Sequence, residues 1–164
     1  MSQPTPYRQL APARRVELVT RAIKSSKDMR AVMVTRMVSR GGGFRPATLL
    51  QWPADKLARE VVRLGAENAD DELNLLNMLY VEFEPQIQAA FLDAAGVKHE
   101  KGQMPEELEP PFADAGAVAK GAAAVVEKFG EDGRLYLLTI AKYNGSGWPG
   151  IDAVIAGMSA ASKH

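Results

Sequence analysis

Apolar residues recur at helical spacing through the middle of the chain, between Asp70 and Gly96. One stripe, with alternating spacings of three and four residues, consists of Leu73, Leu76, Tyr80, Phe83, Ile87, Ala90 and Ala94. This spacing places the side chains on one face of an α-helix, which has about 3.6 residues per turn. Because further apolar residues widen that face, we expect this helix to lie in the middle of a bundle and to contact several other helices.

A proline interrupts this central helix at position 85. Pro85 supplies no backbone N–H, and its ring crowds the carbonyl group of Val81. The helix must therefore bend here, or end and start again with Pro85 in its first turn. Both forms fit the sequence, and the fold is predicted to pack around a central Pro-kinked helix.

Polar side chains border the apolar face of the central helix and form a candidate polar site in the core. The set consists of Asn77, Tyr80, Glu84 and Gln88. Glu84 is the informative member, because a half-buried charge is costly unless it is paired. We expect Glu84 to be exposed at the boundary of the core or to pair with an arginine from another helix, and a functional carboxylate is the alternative.

The rest of the chain repeats the helical pattern between turns rich in glycine and proline, and strand alternation is absent. The sequence therefore predicts an all-α, single-domain bundle of about seven helices, one or two of them short. We expect residues 12–161 to form this domain. Residues 1–11 are predicted to be a flexible N-terminal arm and residues 162–164 a frayed tail.

A net charge of zero conceals a strong asymmetry along the chain. Residues 1–64 contain 13 basic and 4 acidic residues, a net charge of +9, so the remainder carries −9. Within the predicted domain, residues 12–64 are a basic front half and residues 65–161 an acidic back half. A candidate basic or anion-binding surface consists of Arg14, Arg15, Arg21, Arg36, Arg40 and Arg45.

The connection after the central helix is long, acidic and rich in proline from Gln103 to Pro111. Its prolines favour an extended, polyproline II-like backbone. Loops of this length are often functional. An acidic strap that lies over the basic half is a second interpretation.

The composition excludes several kinds of chemistry. The chain has no cysteine, and His99 is its only internal histidine, so disulfides, thiolate sites and zinc sites built from several imidazoles are excluded. Nucleotide-binding and hydrolase motifs are absent as well. We therefore expect no metal, no cofactor and no catalytic residue, and we favour a non-catalytic protein over an enzyme. Without a signal peptide or a bilayer-spanning apolar run, a cytoplasmic protein that does not contact membranes is predicted.

Three functional interpretations are open. The first is a protein-interaction or self-assembly module that binds a protein partner or forms a homo-oligomer. The second is a nucleic-acid or anion-binding protein that uses the basic N-terminal half. The third is a small-molecule-binding or enzymatic helical bundle that uses Glu84. We prefer the first, because the arginines of the front half and the carboxylates of the back half can pair without any ligand. The second is less favoured because the basic half has few aromatic residues for stacking on bases.

Overall fold

Helices make up most of the computed structural model, which describes residues 4–41 and 43–161 and the side chains as far as Met158. The described residues form ten α-helices and no β-strand. The predicted all-α class is confirmed, but the predicted count of about seven helices is too low. The chain divides into two compact units, Met1–Met78 (unit 1) and Leu79–His164 (unit 2).

Unit 1 is built from short and medium helices that begin and end at the expected signals. They are α1 (Pro6–Gln9), α2 (Pro12–Ser25), α3 (Lys27–Ser39), α4 (Pro46–Leu50), α5 (Ala54–Leu64) and α6 (Ala69–Met78). The hydroxyl of Ser26 caps α3 by accepting a hydrogen bond of 3.1 Å from the N–H of Met29. Gly65 ends α5 in the left-handed conformation, with φ of 60°. Helix α2 packs against α3, α5 and α6 and so takes the central position in this unit.

The N-terminal segment, for which the sequence predicts a flexible arm, contains the short helix α1. Residues 1–3 of that arm lie outside the described part, but α1 begins at Pro6 and packs against α6. Tyr7 and Leu10 are both buried. The reason is physical: burial of a tyrosine ring and a leucine side chain can offset the conformational entropy lost by ordering a few residues. The predicted frayed tail at residues 162–164 lies outside the described residues.

Unit 2 contains the other helices and the acidic connection. They are α7 (Pro85–Ala95), α8 (Ala115–Phe129), α9 (Glu131–Asn144) and α10 (Ile151–Ala161), with a π-helical turn at Leu79–Phe83 and a 3₁₀ turn at Gly145–Gly147. Helix α8 packs against α7, α9 and α10. None of the helices in the described part of the chain combines the length and the apolar character that crossing a membrane requires.

The predicted central helix is broken rather than bent at Pro85. Helix α6 ends at Met78, the π-helical turn follows, and α7 begins at Pro85. The N–H of Glu84 donates a 2.7 Å hydrogen bond to the carbonyl of Leu79, five residues earlier. Because Pro85 has no N–H to offer and its ring excludes the regular helical path, the preceding turn widens and the helix ends. The stretch is therefore divided between the two units, since α6 belongs to unit 1 and α7 to unit 2.

Glycines allow the helices of unit 2 to approach closely. A Cβ atom on Gly121 of α8 would lie 3.0 Å from the ring of Phe91 in α7. A Cβ atom on Gly133 of α9 would lie only 2.3 Å from the carbonyl oxygen of Val125 in α8. The second contact involves backbone on both sides, so a side chain there would have to push two helices apart.

Replacement of Gly133 by alanine is expected to destabilise unit 2. The added methyl group overlaps the backbone of α8, and overpacking of this kind costs roughly 2–3 kcal/mol. Urea denaturation followed by far-UV circular dichroism measures the loss. Gly157→Ala is the matched control, because Gly157 also lies in a helix but a Cβ atom added there would have no neighbouring atom within 4 Å. This control should be neutral or stabilising by up to about 1 kcal/mol, and equal stability of the two variants would contradict the close contact.

Candidate functional site

Three carboxylate side chains are buried where α6 begins. Glu67 is 4% exposed, Asp71 is 2% exposed and Glu72 is 6% exposed. A buried charge without partners strongly destabilises a fold, so each carboxylate must be compensated locally. All three find their partners within unit 1.

Asp71 is held by an arginine and by the start of its own helix. Arg36 of α3 donates from Nε at 2.7 Å and from Nη2 at 3.2 Å to the two oxygens of Asp71. These hydrogen bonds raise the pKa of Arg36 above its usual value. Asn68 and Asp71 also exchange hydrogen bonds between side chain and backbone N–H, at 3.0 and 2.9 Å, in the manner of a capping box. Arg36, which the sequence places in the candidate anion-binding surface, thus pairs with Asp71 of its own unit.

Glu67 and Glu72 are held by the N-terminal segment. The hydroxyl groups of Tyr7 and Thr5 donate to Glu67 and Glu72, respectively. Arg8 donates from Nε to Glu72 at 3.2 Å and from Nη2 to the carbonyl of Glu67 at 2.8 Å. Its Nη1 atom lies 3.6 Å from Oε1 of Glu67, the one side-chain oxygen of this group that has no hydrogen bond. We call these five residues the α1–α6 network.

The six arginines of the predicted basic surface have different environments, and several of them serve the fold of unit 1. Arg36 binds Asp71. Arg40 donates from Nη2 to the carbonyls of Leu64 and Gly65, at 2.9 and 2.8 Å, and so caps the end of α5.

Arg15 donates to the carbonyl of Leu10 at 3.2 Å, and Arg14 pairs with Glu17 at 3.3 Å on the same helix. Arg21 and Arg45 are exposed. Thus Arg15, Arg36 and Arg40 are engaged with groups of unit 1 itself.

The residues of the predicted polar core site have different surroundings. Asn77 is exposed in α6, whereas Tyr80 is buried in the π-helical turn with its ring edge against Tyr136, at 5.1 Å between centroids. Glu84 is half-buried between that turn and α7. The amide of Gln88 donates to the carbonyl of Gly102 and thereby holds the acidic connection. Tyr80 and Gln88 therefore have separate partners within unit 2.

The acidic connection is fixed to unit 2 near both of its ends. At its start, the N–H of Gly102 donates to Nδ1 of His99 at 3.0 Å, and Nε2 of His99 lies 2.6 Å from Asp93 of α7. A backbone N–H can only donate, so Nδ1 is the acceptor and the proton of the neutral ring lies on Nε2. At its end, the N–H of Phe112 donates to the carbonyl of Gly147 at 2.9 Å, and the ring of Phe112 packs on Trp148.

Sequence reasoning missed the α1–α6 network, although two signals for this region were present. A tyrosine between prolines is unusual in a disordered arm, because such arms contain few aromatic residues. The spacing of Asn68 and Asp71 is that of a capping pair, which favours Asn68 at the helix start. No local pattern marks Glu67 or Glu72 as buried, since their partners are about sixty residues away in the chain.

Comparisons of the chain with protein-family models, with curated proteins and with solved structures gave no match. The residues and their contacts therefore carry the functional interpretation.

Tyr7→Phe is expected to weaken unit 1. The variant keeps the buried ring but removes the hydroxyl that donates to Glu67, and the loss of a hydrogen bond to a buried charged group costs about 1–3 kcal/mol. Hydrogen exchange should also become faster over residues 5–10 and at the start of α6. Tyr143→Phe is the control, because the ring of Tyr143 is exposed, and its stability should change by less than about 0.5 kcal/mol. Equal behaviour of the two variants would contradict the role of the hydroxyl.

The stability of unit 1 should fall at alkaline pH partly through Tyr7. Burial, followed by the charge of Glu67, raises the pKa of Tyr7 in the folded state above its usual value of about 10. The folded state thus holds this proton more tightly than the unfolded state. The resulting stabilisation is full below about pH 10 and is lost as the pH rises further, at about 1.4 kcal/mol per pH unit.

Urea midpoints of the wild type and of Tyr7→Phe between about pH 8 and pH 11 measure this loss by difference. Burial also raises the pKa of Tyr136, but this group is present in both proteins and cancels. A constant stability difference across the pH range would contradict the prediction.

Proposed function

We propose that this chain is a non-catalytic self-assembly module whose copies associate through oppositely charged units. Unit 1 contains 13 basic and 8 acidic residues, a net charge of +5, and unit 2 contains 7 basic and 12 acidic residues, a net charge of −5. Opposite charges on two surfaces attract over about a Debye length and steer association. Every copy carries both signs, so each copy can bind another copy of the same chain.

The placement of the acidic residues is the observation that carries this proposal. Three of the eight acids of unit 1 are buried and compensated in part by Arg8 and Arg36. When the three buried acids and the two arginines are set aside, eleven basic and five acidic side chains remain in unit 1. By contrast, none of the twelve acids of unit 2, all of which lie in the described part, is buried. Unit 1 therefore presents a positive surface and unit 2 a negative one.

Exposed apolar side chains add a second requirement of an interface, because the buried centre of protein interfaces is depleted of charge. Both units have them. The exposed large apolar residues among those described are Val38 and Leu50 in unit 1, and Val81, Leu108 and Tyr143 in unit 2.

The two other interpretations receive less support. Binding of nucleic acid would rely on six arginines, and Arg15, Arg36 and Arg40 are engaged within unit 1. A bundle that uses Glu84 would rely on a polar set whose members Tyr80 and Gln88 have separate partners.

Light scattering across salt concentrations tests self-assembly. At about 0.02 M salt the average mass should rise above 17.8 kDa with protein concentration. At about 0.5 M salt it should return toward the monomer, because the Debye length falls from roughly 20 Å to roughly 4 Å. A monomer at every salt and protein concentration would overturn the proposal.

A labelled mixed-sequence oligonucleotide, titrated at the same low salt, completes the experiment. Oligonucleotide binding that dissociates the assembly, or that occurs with a monomeric protein, would favour the nucleic-acid interpretation instead. No binding, together with salt-dependent assembly, is the expected result.

A further inference from the structure

Unit 1 exposes apolar side chains around its short helix α4. Leu49 is fully buried, which turns the next residue, Leu50, outward, so that it is 49% exposed. The rings of Phe44 and Trp52, which flank α4 in the chain, meet edge to face at 5.3 Å between centroids and are half-buried. We call Phe44, Leu50 and Trp52, with the cations described next, the α4 patch.

Positive groups accompany these apolar side chains. The Nζ atom of Lys56 lies over the ring of Trp52 at 4.3 Å. Arg30 donates to the carbonyls of Leu50 and Trp52, at 3.3 and 2.9 Å, and so lies beside both residues. Arg45 is exposed where α4 begins. The patch therefore combines apolar contact area with positive charge.

The carboxylates of the next helix, α5, pair with arginines of that helix, so they do not fully neutralise the cations of the patch. Asp55 of α5 pairs with Arg59 at 3.0 Å, and Glu60 pairs with Arg63 at 2.6 Å. Each of these acids has an arginine partner on its own helix, and the charge of Lys56 acts on Glu60 as well. A ligand that suits the α4 patch would carry an apolar side chain flanked by negative charges.

Unit 2 presents a segment of that composition. Residues 106–109, which we call the acidic segment, place Leu108 among three glutamates, and all four side chains are exposed, Leu108 by 37%. The N–H of Leu108 donates to the carbonyl of Pro105 at 3.2 Å, and Pro110 and Pro111 follow. These prolines restrict the backbone, so the segment loses little conformational entropy when it binds.

We infer that the α4 patch of one copy binds the acidic segment of a second copy. Leu108 packs against Leu50 and Trp52 in this contact, and the flanking glutamates face Arg45 and Lys56. The inference rests on the proposed self-assembly and names its two surfaces. The complementarity of charge and of apolar side chains is what selects a second copy as the occupant.

The contact joins two different surfaces and is therefore heterologous. Such contacts repeat from copy to copy and generate rings or open chains. The segment is short, so each contact is small and weak, and assembly should depend strongly on protein concentration.

Two single variants separate the surfaces. Leu50→Asp disrupts the patch and leaves the segment intact, whereas Leu108→Asp does the reverse. Both leucines are exposed, so the fold should persist, which circular dichroism checks. Sedimentation velocity of each variant alone should show self-association weakened by about ten-fold or more, because a leucine that is buried in the contact becomes a charge.

An equimolar mixture is the decisive sample. The Leu108→Asp copy supplies an intact patch and the Leu50→Asp copy supplies an intact segment, so the mixture should form a one-to-one heterodimer and nothing larger. Val81→Asp is the matched control, because Val81 is another exposed apolar residue of unit 2, at 46%, and the inferred contact does not use it. This control should assemble like the wild type.

The outcomes distinguish this inference from the proposed function. A monomeric wild type would overturn both. Wild-type assembly that survives in either leucine variant would overturn the pairing of patch and segment and leave self-assembly standing. If only Leu50→Asp is impaired, the patch has another occupant, such as a second patch. Two folded, monomeric variants that fail to form a heterodimer would also overturn the inference.

Discussion

The compensation of three buried carboxylates at the start of α6 is the constraint on which unit 1 depends. A buried charge must be paired, and the three carboxylates take their partners from α1 and α3. These contacts tie the beginning of unit 1 to its last helix, about sixty residues away in the chain. They also explain why a segment rich in proline forms α1: Tyr7, Thr5 and Arg8 supply donors that Glu67 and Glu72 would otherwise lack.

The same pairing determines what the surface of unit 1 presents. Acids that are used in the interior cannot neutralise arginines and lysines on the outside, so the surface is more basic than the composition of unit 1 indicates. Unit 2 has the opposite arrangement, because its acids are half-buried or exposed throughout. The positions of the carboxylates thus determine both the stability of unit 1 and the surface charges on which the proposed association depends. A substitution in the interior, such as one that releases Glu72 from Arg8, would change both.

Local sequence signals predict much of the fold, but they do not predict which residues pair across long distances in the chain. The all-α class followed from helical periodicity, and Ser26, Asp114 and Gly65 mark helix ends through bonds between near neighbours in the chain. Gly121 of α8 is a local signal of the same kind, because a residue without a side chain allows the close contact with Phe91. The partner of Arg36 is different in kind. The sequence places Arg36 in a basic surface, but only the folded chain selects Asp71, 35 residues away, among many acids.

The break at Pro85 shows how one missing N–H limits an inference from periodicity. The apolar stripe continues past the proline with the same spacing, so periodicity alone predicts one helix through Asp70–Gly96. The backbone instead uses the bond from Glu84 to Leu79 to widen its last turn, and a new helix begins. This break lies next to the boundary between the two units. Before the break, three acids at the start of α6 are buried and paired. After it, the acids of unit 2 are half-buried or exposed. A continuous helix would have suggested one core with one set of ion pairs. With the helix broken, unit 1 is a unit of net positive charge and unit 2 a unit of net negative charge. That separation is what allows a chain with no net charge to be a candidate for association with itself.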